Sequence, residues 1–461
     1  MSLHPLPRLV TPAPVPLAAG GTIDYANFDG AATAAPLQAV ADRVAEVLPY
    51  YASVNRGAGW HSQVSTTLYE EARHTIAAFV GARADDVTVI TRNTTDAFNL
   101  LASALPAGEG GAPGRVLVLD AEHHANLLPW HESPGGATVL STPDTIAETL
   151  AALAAELERR PYALVAVTGA SNVTGETLPL AKIAELAHRA GARVAVDGAQ
   201  LLPHRRFSLD ATGVDYVAFS GHKLYAPYGA GALVGRGDWL DAAPPYLVGG
   251  GAVRRVLDPA NEWAPSPARH EAGTPNLLGV VALAAAAEAI AAVPEEVVVA
   301  HERRHLGRLR DTLDSLPGVE PLQIWADSTD PVGIVSFGFA DHDSALVATY
   351  LSAEHGVGVR AGLFCAHPLL RRFGRPDGAL RASVNLGTTD EHVDRILHGL
   401  RTYLSGALRR TYTVVGGSWV VVDDARPTGA TSQPAGPCGP GWQLLDYSTS
   451  TRRTGVRPST A

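Results

Sequence analysis

The 461-residue sequence contains few cysteines and no long uninterrupted apolar run. Its only cysteines are Cys365 and Cys438, which excludes a disulfide framework and a zinc site built from cysteines. The apolar stretch at 280–293 is interrupted by Glu288 and is too short to span a bilayer. Prolines break up the N-terminal segment, so we expect no signal peptide. These absences predict a cytoplasmic protein without a membrane partner.

Lysine is also scarce, since Lys182 and Lys223 are the only two in the chain. Any chemistry that needs a lysine amine therefore has two candidates. Lys182 lies near the start of an amphipathic helical pattern, which is typical of a solvated surface charge. Lys223 ends the segment SGHK, directly after a short run of apolar residues that predicts a buried strand.

Acidic residues outnumber basic ones, with 46 Asp and Glu against 36 Lys and Arg, and the formal net charge is −10. No block of basic residues interrupts this balance, so we predict no nucleic-acid partner. The 46% of hydrophobic and 18% of charged residues are typical of a folded globular protein. A chain of this length is expected to form a large domain and a smaller one.

Short apolar runs alternate with helical patterns over residues 25–295, which predicts a large α/β domain with a mostly parallel sheet. A proline-rich arm, 1–24, precedes this domain. Within 296–410 the pattern changes to a strand of alternating apolar and polar residues and to longer helices, which predicts a smaller α+β domain. We interpret 411–461 as a hairpin-like extension followed by an irregular tail.

Asp197 and Lys223 each follow directly on a predicted strand. Because ligands of α/β proteins bind at the carboxyl ends of parallel strands, we expect both side chains at the catalytic edge of the sheet. A lysine amine there can form a Schiff base with an aldehyde cofactor, and a carboxylate can keep a pyridine nitrogen protonated. The alternative, a buried structural lysine, is disfavoured by the SGHK context.

Ten short motifs extend this pattern along most of the chain. They are FDGAAT (28–33), VNRG (54–57), RNTTDAFNLLA (92–102), EHHANLLPW (122–130), SNVTGE (171–176), VDGAQ (196–200), FSGHKLYAPYGAG (219–231), EAGTPN (271–276), VRAGLFCAHPLL (359–370) and RASVNLGTTDEHVD (381–394). With them the chain resembles the fold-type I pyridoxal phosphate enzymes of the class V aminotransferase group. Within that group it is most similar to the SufS-like group II cysteine desulfurases and selenocysteine lyases.

The resemblance implies a fold, a cofactor and an assembly. The implied fold is a large domain with a mostly parallel seven-stranded sheet and a smaller α+β C-terminal domain. The implied cofactor is pyridoxal 5'-phosphate, bound through Lys223, and the implied substrate is an amino acid. The resemblance also implies a homodimer and, for a desulfurase, a sulfur-acceptor protein as partner.

The same resemblance assigns roles to residues around the cofactor. It implies that Asp197 pairs with the pyridine nitrogen and that His123 stacks on the ring. The substrate carboxylate is expected on Arg381, with Arg360 as a further substrate-binding residue. The remaining expected cofactor contacts are Thr94, Thr95, His222 and Thr274 around the phosphate, the last from the neighbouring subunit, Asn172 and Gln200 at the phenolic oxygen, and Ser220.

Cys365 decides between the reactions that this fold supports. In the resembling desulfurases a cysteine in this loop accepts the substrate's sulfur, but two histidines usually precede it where this chain has Leu363 and Phe364. Apolar neighbours raise the pKa of a thiol, and His367 or Arg360 could compensate. The sequence therefore leaves open a desulfurase-like C–S cleavage with Cys365 as persulfide nucleophile, or an aminotransferase or epimerase in which Cys365 is not catalytic.

Two further alternatives carry less weight. A non-catalytic cofactor-binding scaffold is disfavoured because Lys223, Asp197 and His123 are all present. The spacing of His301 and His305 suits a metal ion, but arginines surround the pair, and we expect no metal site.

Overall fold

The computed structural model describes residues 5–55, 57–106 and 114–427. The strands are β1 Val15–Pro16, β2 Thr22–Ile23, β3 Ala26–Asn27, β4 Asp86–Thr91, β5 Val116–Leu119, β6 Ala137–Leu140, β7 Leu164–Thr168, β8 Arg193–Asp197, β9 Tyr216–Ser220, β10 Gly231–Arg236, β11 Val253–Arg255, β12 Glu262–Trp263, β13 Val319–Pro321, β14 Ile334–Phe339, β15 Val357–Gly358, β16 Arg360–Gly362, β17 Ala379–Ser383, β18 Tyr412–Val415 and β19 Ser418–Val421. The helices are α1 Gln38–Val47, α2 Trp60–Phe79, α3 Thr94–Ser103, α4 Leu128–His131, α5 Ile146–Arg159, α6 Leu180–Arg189, α7 Leu209–Thr212, α8 Gly237–Ala242, α9 Leu277–Ala291, α10 Glu295–Leu313, α11 Ser344–His355, α12 His367–Arg372 and α13 Asp390–Leu404.

A seven-stranded sheet in the order β4-β10-β9-β8-β7-β5-β6 forms the centre of the large domain. Strands β9, β8, β7, β5 and β6 run parallel, and β10 is antiparallel to both of its neighbours. Alternate residues of the inner strands belong to two separate buried clusters, one on each face of the sheet. Strands that are buried on both faces need apolar side chains throughout, which explains the continuous apolar runs in the sequence. The predicted mostly parallel seven-stranded sheet is confirmed.

The edge at which β4, β9 and β10 meet depends on a glycine. Gly231 of β10 pairs with Thr91 on one side and with Ser220 on the other. A Cβ atom at Gly231 would lie 2.5 Å from the carbonyl oxygen of Phe219 and 2.8 Å from Cα of Asn93. Only glycine allows this approach, which brings the start of α3 beside the end of β9.

The small domain contains a four-stranded antiparallel sheet in the order β13-β14-β17-β16. Helices α10, α11 and α13 cover it, with Phe337, Tyr350 and Leu400 fully buried in the shared core. The strand that the sequence pattern predicts at 381–385 begins two residues earlier, as β17, and pairs with β14. Strand β3 pairs in parallel with β15, so the chain's N-terminal part also contacts this domain.

Strands β18 and β19 form an antiparallel hairpin after α13. The hairpin packs on α11, where the Tyr412 hydroxyl donates to Glu354 at 2.8 Å and the Trp419 indole donates to Asp343 at 2.8 Å. The irregular tail predicted beyond residue 427 lies outside the described residues. The domain limits at 295 and 410 stay a prediction.

Within the described ranges no single helix is long and apolar enough to cross a membrane, although α9 and α10 together, with an 86° bend between them, meet the length and composition criteria.

Candidate active site

A cavity of about 560 Å³ lies between the carboxyl edge of the large sheet and strand β16 of the small domain. It collects side chains that are far apart in the sequence. Its lining comprises Ala31, Ala32, Asn93, Thr94, Thr95, His123, Ala125, Asn172, Asp197, Ala199, Ser220, His222, Lys223, Arg360, Ala361, Phe364, Cys365 and Arg381.

Lys223 and Asp197 both line this cavity and interact electrostatically. Asp197 ends β8 and accepts a hydrogen bond from the backbone N–H of Ala199 at 2.9 Å. Burial raises the pKa of Asp197, and the positive charge of Lys223 opposes that rise. Burial lowers the pKa of Lys223, against the attraction of Asp197. A lowered pKa increases the share of neutral amine, the form that attacks an aldehyde.

The N-terminus of α3 forms an anion-binding corner of the cavity. Asn93 caps this ten-residue helix by accepting the Asp96 N–H at 3.0 Å. The backbone N–H of Thr94 donates to the Ser220 hydroxyl at 2.8 Å, and the two hydroxyls are also 2.8 Å apart. Thr95 follows in the first turn, where the helix dipole favours a phosphate. Asn93 is a site residue that the motifs did not single out, although an asparagine directly before a helical pattern is a capping signal.

His222 and His123 are neutral rings that line the cavity with Lys223. Burial, reinforced by the charge of Lys223, lowers the pKa of His222 to about 4, and its Nδ1 lies 3.0 Å from the Thr33 hydroxyl. Burial also lowers the pKa of His123 well below its usual value, and Lys223 adds to this. The Nδ1 atom of His123 accepts the Ala125 N–H at 3.0 Å, which leaves the proton on Nε2. A neutral, flat imidazole suits stacking against a cofactor ring.

Two amide side chains hold loops at the cavity wall. The Gln200 amide donates to the Ala31 carbonyl at 2.6 Å, so Gln200 lies beneath the lining. The Asn172 amide donates to the Phe364 carbonyl at 2.8 Å. Asn172 in turn accepts a hydrogen bond from Arg381 at its backbone carbonyl, also at 2.8 Å.

Arg381 is a buried cation that lines the cavity. Its guanidinium lies over the Phe364 ring, with Cζ 5.2 Å from the ring centroid. Burial lowers the pKa of Arg381 to about 10. Within the described residues its buried Nε has no hydrogen-bond partner. A buried guanidinium with an unused donor fits a carboxylate ligand.

Cys365 lines the cavity in a strained turn. Phe364 and Cys365 both have a φ angle of +52°, a left-handed conformation that is rare for residues other than glycine. The Cys365 carbonyl accepts the His124 N–H at 2.8 Å, which attaches the turn to the large domain. A negative charge on Cys365 raises the pKa of both Lys223 and Arg381, so two cations lie near the thiol.

These cations change the interpretation of the loop. Phe364, one of the apolar neighbours, lines the same cavity and lies against the Arg381 guanidinium, so the thiol's surroundings are not apolar alone. The two residues considered as compensation have other contacts. Arg360 is bound to Asp29, and the His367 ring packs edge-on against the His124 ring, with ring centroids 4.4 Å apart.

Two of the residues singled out in the sequence lie away from the cavity. Thr274 is exposed in the loop before α9 and is absent from the lining. Lys182 lies on α6 with about half of its side chain exposed, and it pairs with Glu185 at 2.8 Å. Among the described residues no group of three or more His, Cys, Asp or Glu is arranged to hold a metal ion.

The whole cavity falls within a segment that matches a known family. The sequence model described as aminotransferase class-V matches residues 26–396. The chain belongs to the class-V aminotransferase family. Among its relatives, a cysteine desulfurase from Dickeya dadantii is 36% identical over 406 residues, which are 86% of this chain and 96% of the relative.

Solved structures of this class-V family show the same fold. A cysteine desulfurase from Escherichia coli superimposes with a TM-score of 0.73 at 32% identity, over 83% of this chain and 95% of that one. The apo cysteine desulfurase from Thermococcus onnurineus gives a TM-score of 0.75 at 30% identity, with the same coverage. The predicted family and the fold-type I architecture are therefore confirmed.

The cavity fits pyridoxal 5'-phosphate, the cofactor that the sequence motifs predicted and that family membership supports. The amine of Lys223, the buried carboxylate of Asp197 and the N-terminus of α3 all open onto one space. They match the cofactor's aldehyde, pyridine nitrogen and phosphate respectively.

Proposed function

We propose that the protein is a cysteine desulfurase that releases L-alanine from L-cysteine and transfers the sulfur to Cys365. The observation that carries this proposal is the position of Cys365 in the same cavity as Lys223 and Arg381, close enough to both cations for charge interaction. The cysteine desulfurases among its relatives support the same reaction. They do not favour the aminotransferase or epimerase alternative, nor a non-catalytic scaffold.

Four residues at the centre of the site each have a distinct task in this proposal. Arg381 binds the substrate carboxylate with its unpaired Nε, which fixes the amino acid in the cavity. Lys223, with its lowered pKa, removes and returns the proton at Cα. Asp197 keeps the pyridine nitrogen protonated, and the neutral His123 supports the ring. When bound, pyridoxal 5'-phosphate supplies the electron sink that stabilises negative charge on the substrate.

The sulfur transfer needs no reactant other than L-cysteine and the Cys365 thiol. The Cys365 sulfur forms a bond to the substrate sulfur as the bond between that sulfur and Cβ breaks. The electron pair of the broken bond stays on carbon, which takes up a proton. L-cysteine and the Cys365 thiol thus give L-alanine and a Cys365 persulfide. Nearby cations favour the thiolate, which is the nucleophilic form of cysteine.

The proposal includes an assembly and a compartment. We propose a homodimer in which Thr274, exposed on its own subunit, reaches the phosphate of the neighbouring site. A sulfur-acceptor protein would take the persulfide sulfur. A reactive thiol of this kind requires a reducing environment, which supports a cytoplasmic location.

The decisive experiment treats the holoenzyme with L-cysteine and analyses the products by mass spectrometry. We expect equal amounts of L-alanine and of persulfide, with the persulfide on the Cys365 peptide. Cys365→Ala should reduce L-alanine release at least 100-fold, whereas Cys438→Ala, the matched control at the only other cysteine, should not. Full L-alanine release by Cys365→Ala, or the absence of persulfide from the wild-type protein, would reject the proposal.

A further inference from the structure

The substrate end of the cavity contains two arginines on neighbouring strands. Arg360 of β16 and Arg381 of β17 are directly opposite each other in the antiparallel register. Directly opposite side chains have Cβ atoms about 5 Å apart, and like charges in such positions destabilise a sheet. Both arginines nevertheless line the cavity, so a third group must balance the pair.

Asp29 provides that balance. A β-bridge to Ser383, two residues after Arg381 on the same strand, places Asp29 beside the pair. Its carboxylate accepts hydrogen bonds from Arg360 Nε at 3.2 Å and from Arg360 Nη2 at 2.6 Å. Two hydrogen bonds from one guanidinium to one carboxylate form the strongest common ion-pair geometry.

The carboxylate is shared unequally between the arginines. Arg381 Nη2 lies 3.7 Å from Asp29 Oδ1, which is an ion pair but beyond hydrogen-bond range. Asp29 therefore neutralises Arg360 and leaves the Nε of Arg381 available for a ligand. In accordance with this arrangement, Arg360 lowers the pKa of Arg381 and Asp29 raises it.

We propose that Asp29 determines substrate specificity by restraining Arg360, so that the cavity favours amino acids with one carboxylate over those with a second carboxylate in the side chain. This inference rests on the proposed function, because it assigns the substrate class of the same site. Asp29 acts through the two arginines and is thus a positioning residue. Once released, Arg360 would offer a second guanidinium about one strand spacing from Arg381, within reach of a second carboxylate.

The test compares two amino acids that differ only by a carboxylate on Cβ. L-alanine and L-aspartate are titrated into the holoenzyme, and the change in cofactor absorbance gives the dissociation constants. We expect Asp29→Asn to raise the preference for L-aspartate over L-alanine at least tenfold relative to wild type. A structural defect would weaken the binding of both amino acids together. The expected result instead strengthens L-aspartate binding relative to L-alanine binding.

Two further variants isolate the cause. Asp238→Asn is the matched control, since Asp238 also binds one guanidinium through two hydrogen bonds, to Arg193 at 2.7 Å each, outside the cavity lining. It should leave the ratio of the two constants unchanged. Adding Arg360→Gln to Asp29→Asn should abolish the gain, because the released guanidinium is then absent. An unchanged ratio in Asp29→Asn, or a gain that survives without Arg360, would overturn the inference.

Arg360→Gln alone provides an independent measurement if Asp29→Asn does not fold. It leaves the Asp29 charge beside Arg381, where it competes with the substrate carboxylate, so we expect the dissociation constant of L-alanine to rise at least fivefold. Unchanged L-alanine binding would contradict the proposed restraint of Arg360 by Asp29.

Neither amino acid contains sulfur, so these dissociation constants do not depend on desulfuration. A missing persulfide would therefore reject the proposed function without affecting this result.

Discussion

The pair formed by Asp197 and Lys223 sets the chemistry of the site at the scale of single residues. Asp197→Asn keeps the side chain's size but removes the charge that stabilises a protonated pyridine nitrogen. We expect kcat to fall at least 100-fold while the cofactor stays attached to Lys223, because the lost interaction matters most in the transition state. Steady-state kinetics together with the cofactor absorbance spectrum checks both parts.

The control for this prediction is Asp120→Asn. Asp120 follows β5 directly at the same edge of the sheet, where it accepts the Thr142 N–H at 2.9 Å, but it does not line the cavity. It should change kcat by less than threefold. Equal losses in the two variants would show that any carboxylate at this edge matters, and the role assigned to Asp197 would be wrong.

Single residues also show where sequence reasoning stops. Lys223 and Asp197 were predictable because lysines are rare here and both positions follow buried strands. Asp29 was not, because its partner Arg360 is 331 positions away and the contact exists only after the two domains meet. The cations near Cys365 were hidden for the same reason, since neither Lys223 nor Arg381 is its neighbour in sequence.

Helix α3 connects stability with cofactor binding at the scale of an element. Asn93→Ala removes its N-cap and should lower the free energy of unfolding by about 1 kcal/mol. The loosened first turn carries Thr94 and Thr95, so we also expect the dissociation constant of pyridoxal 5'-phosphate to rise several-fold. Chemical denaturation of the protein and equilibrium dialysis of the cofactor measure the two effects separately.

Helix α5 supplies the matched control for this variant. Thr145 caps it by accepting the Glu148 N–H at 3.1 Å, away from the cavity. Thr145→Ala should lower stability by a similar amount and leave cofactor binding unchanged. If both variants release the cofactor equally, its loss reflects general instability rather than the anion-binding corner.

Long apolar elements were predictable, and short or exposed ones were not. Residues 279–292 are rich in alanine and other apolar residues, which predicts a buried helix, and the structure has this helix at Leu277–Ala291. The sequence pattern predicts a helix over 67–80, but α2 begins seven residues earlier, at Trp60. Its first turn is largely exposed and lacks an apolar face, so the pattern gives no sign of it. Strands β6, β13 and β16 have three or four residues each, too few to show a period.

The molecule as a whole should lose stability on mild acidification. Burial lowers the pKa of seven described histidines and raises that of two carboxyl groups, Glu122 and Asp197. Because the histidines outnumber the carboxyl groups, we expect them to determine how stability changes with pH. The unfolded chain takes up protons on its histidines near pH 6.5. In the folded chain these histidines stay unprotonated down to a lower pH, about 4 for His222. Between these values the unfolded state binds more protons, so stability falls as pH falls.

Thermal unfolding between pH 7 and pH 5 tests this expectation. We expect Tm to decrease steadily over that range, before the carboxylates with lowered pKa, such as Asp96 and Asp330, begin to titrate. The two raised carboxyls act in the opposite direction, because the folded chain binds their protons more tightly as pH falls. A constant or rising Tm would mean that they outweigh the histidines.

The placement of the two lysines has a practical consequence for labelling. An amine-reactive ester can modify only Lys182, Lys223 and the α-amino group, because the chain contains no other lysine. Lys182 is exposed on α6, remote from the cavity, and can carry a single fluorophore without disturbing the site. Lys223 reacts only in molecules whose amine is not bonded to the cofactor. The ratio of labelled Lys223 peptide to labelled Lys182 peptide therefore measures cofactor occupancy, with the second lysine as a built-in internal standard.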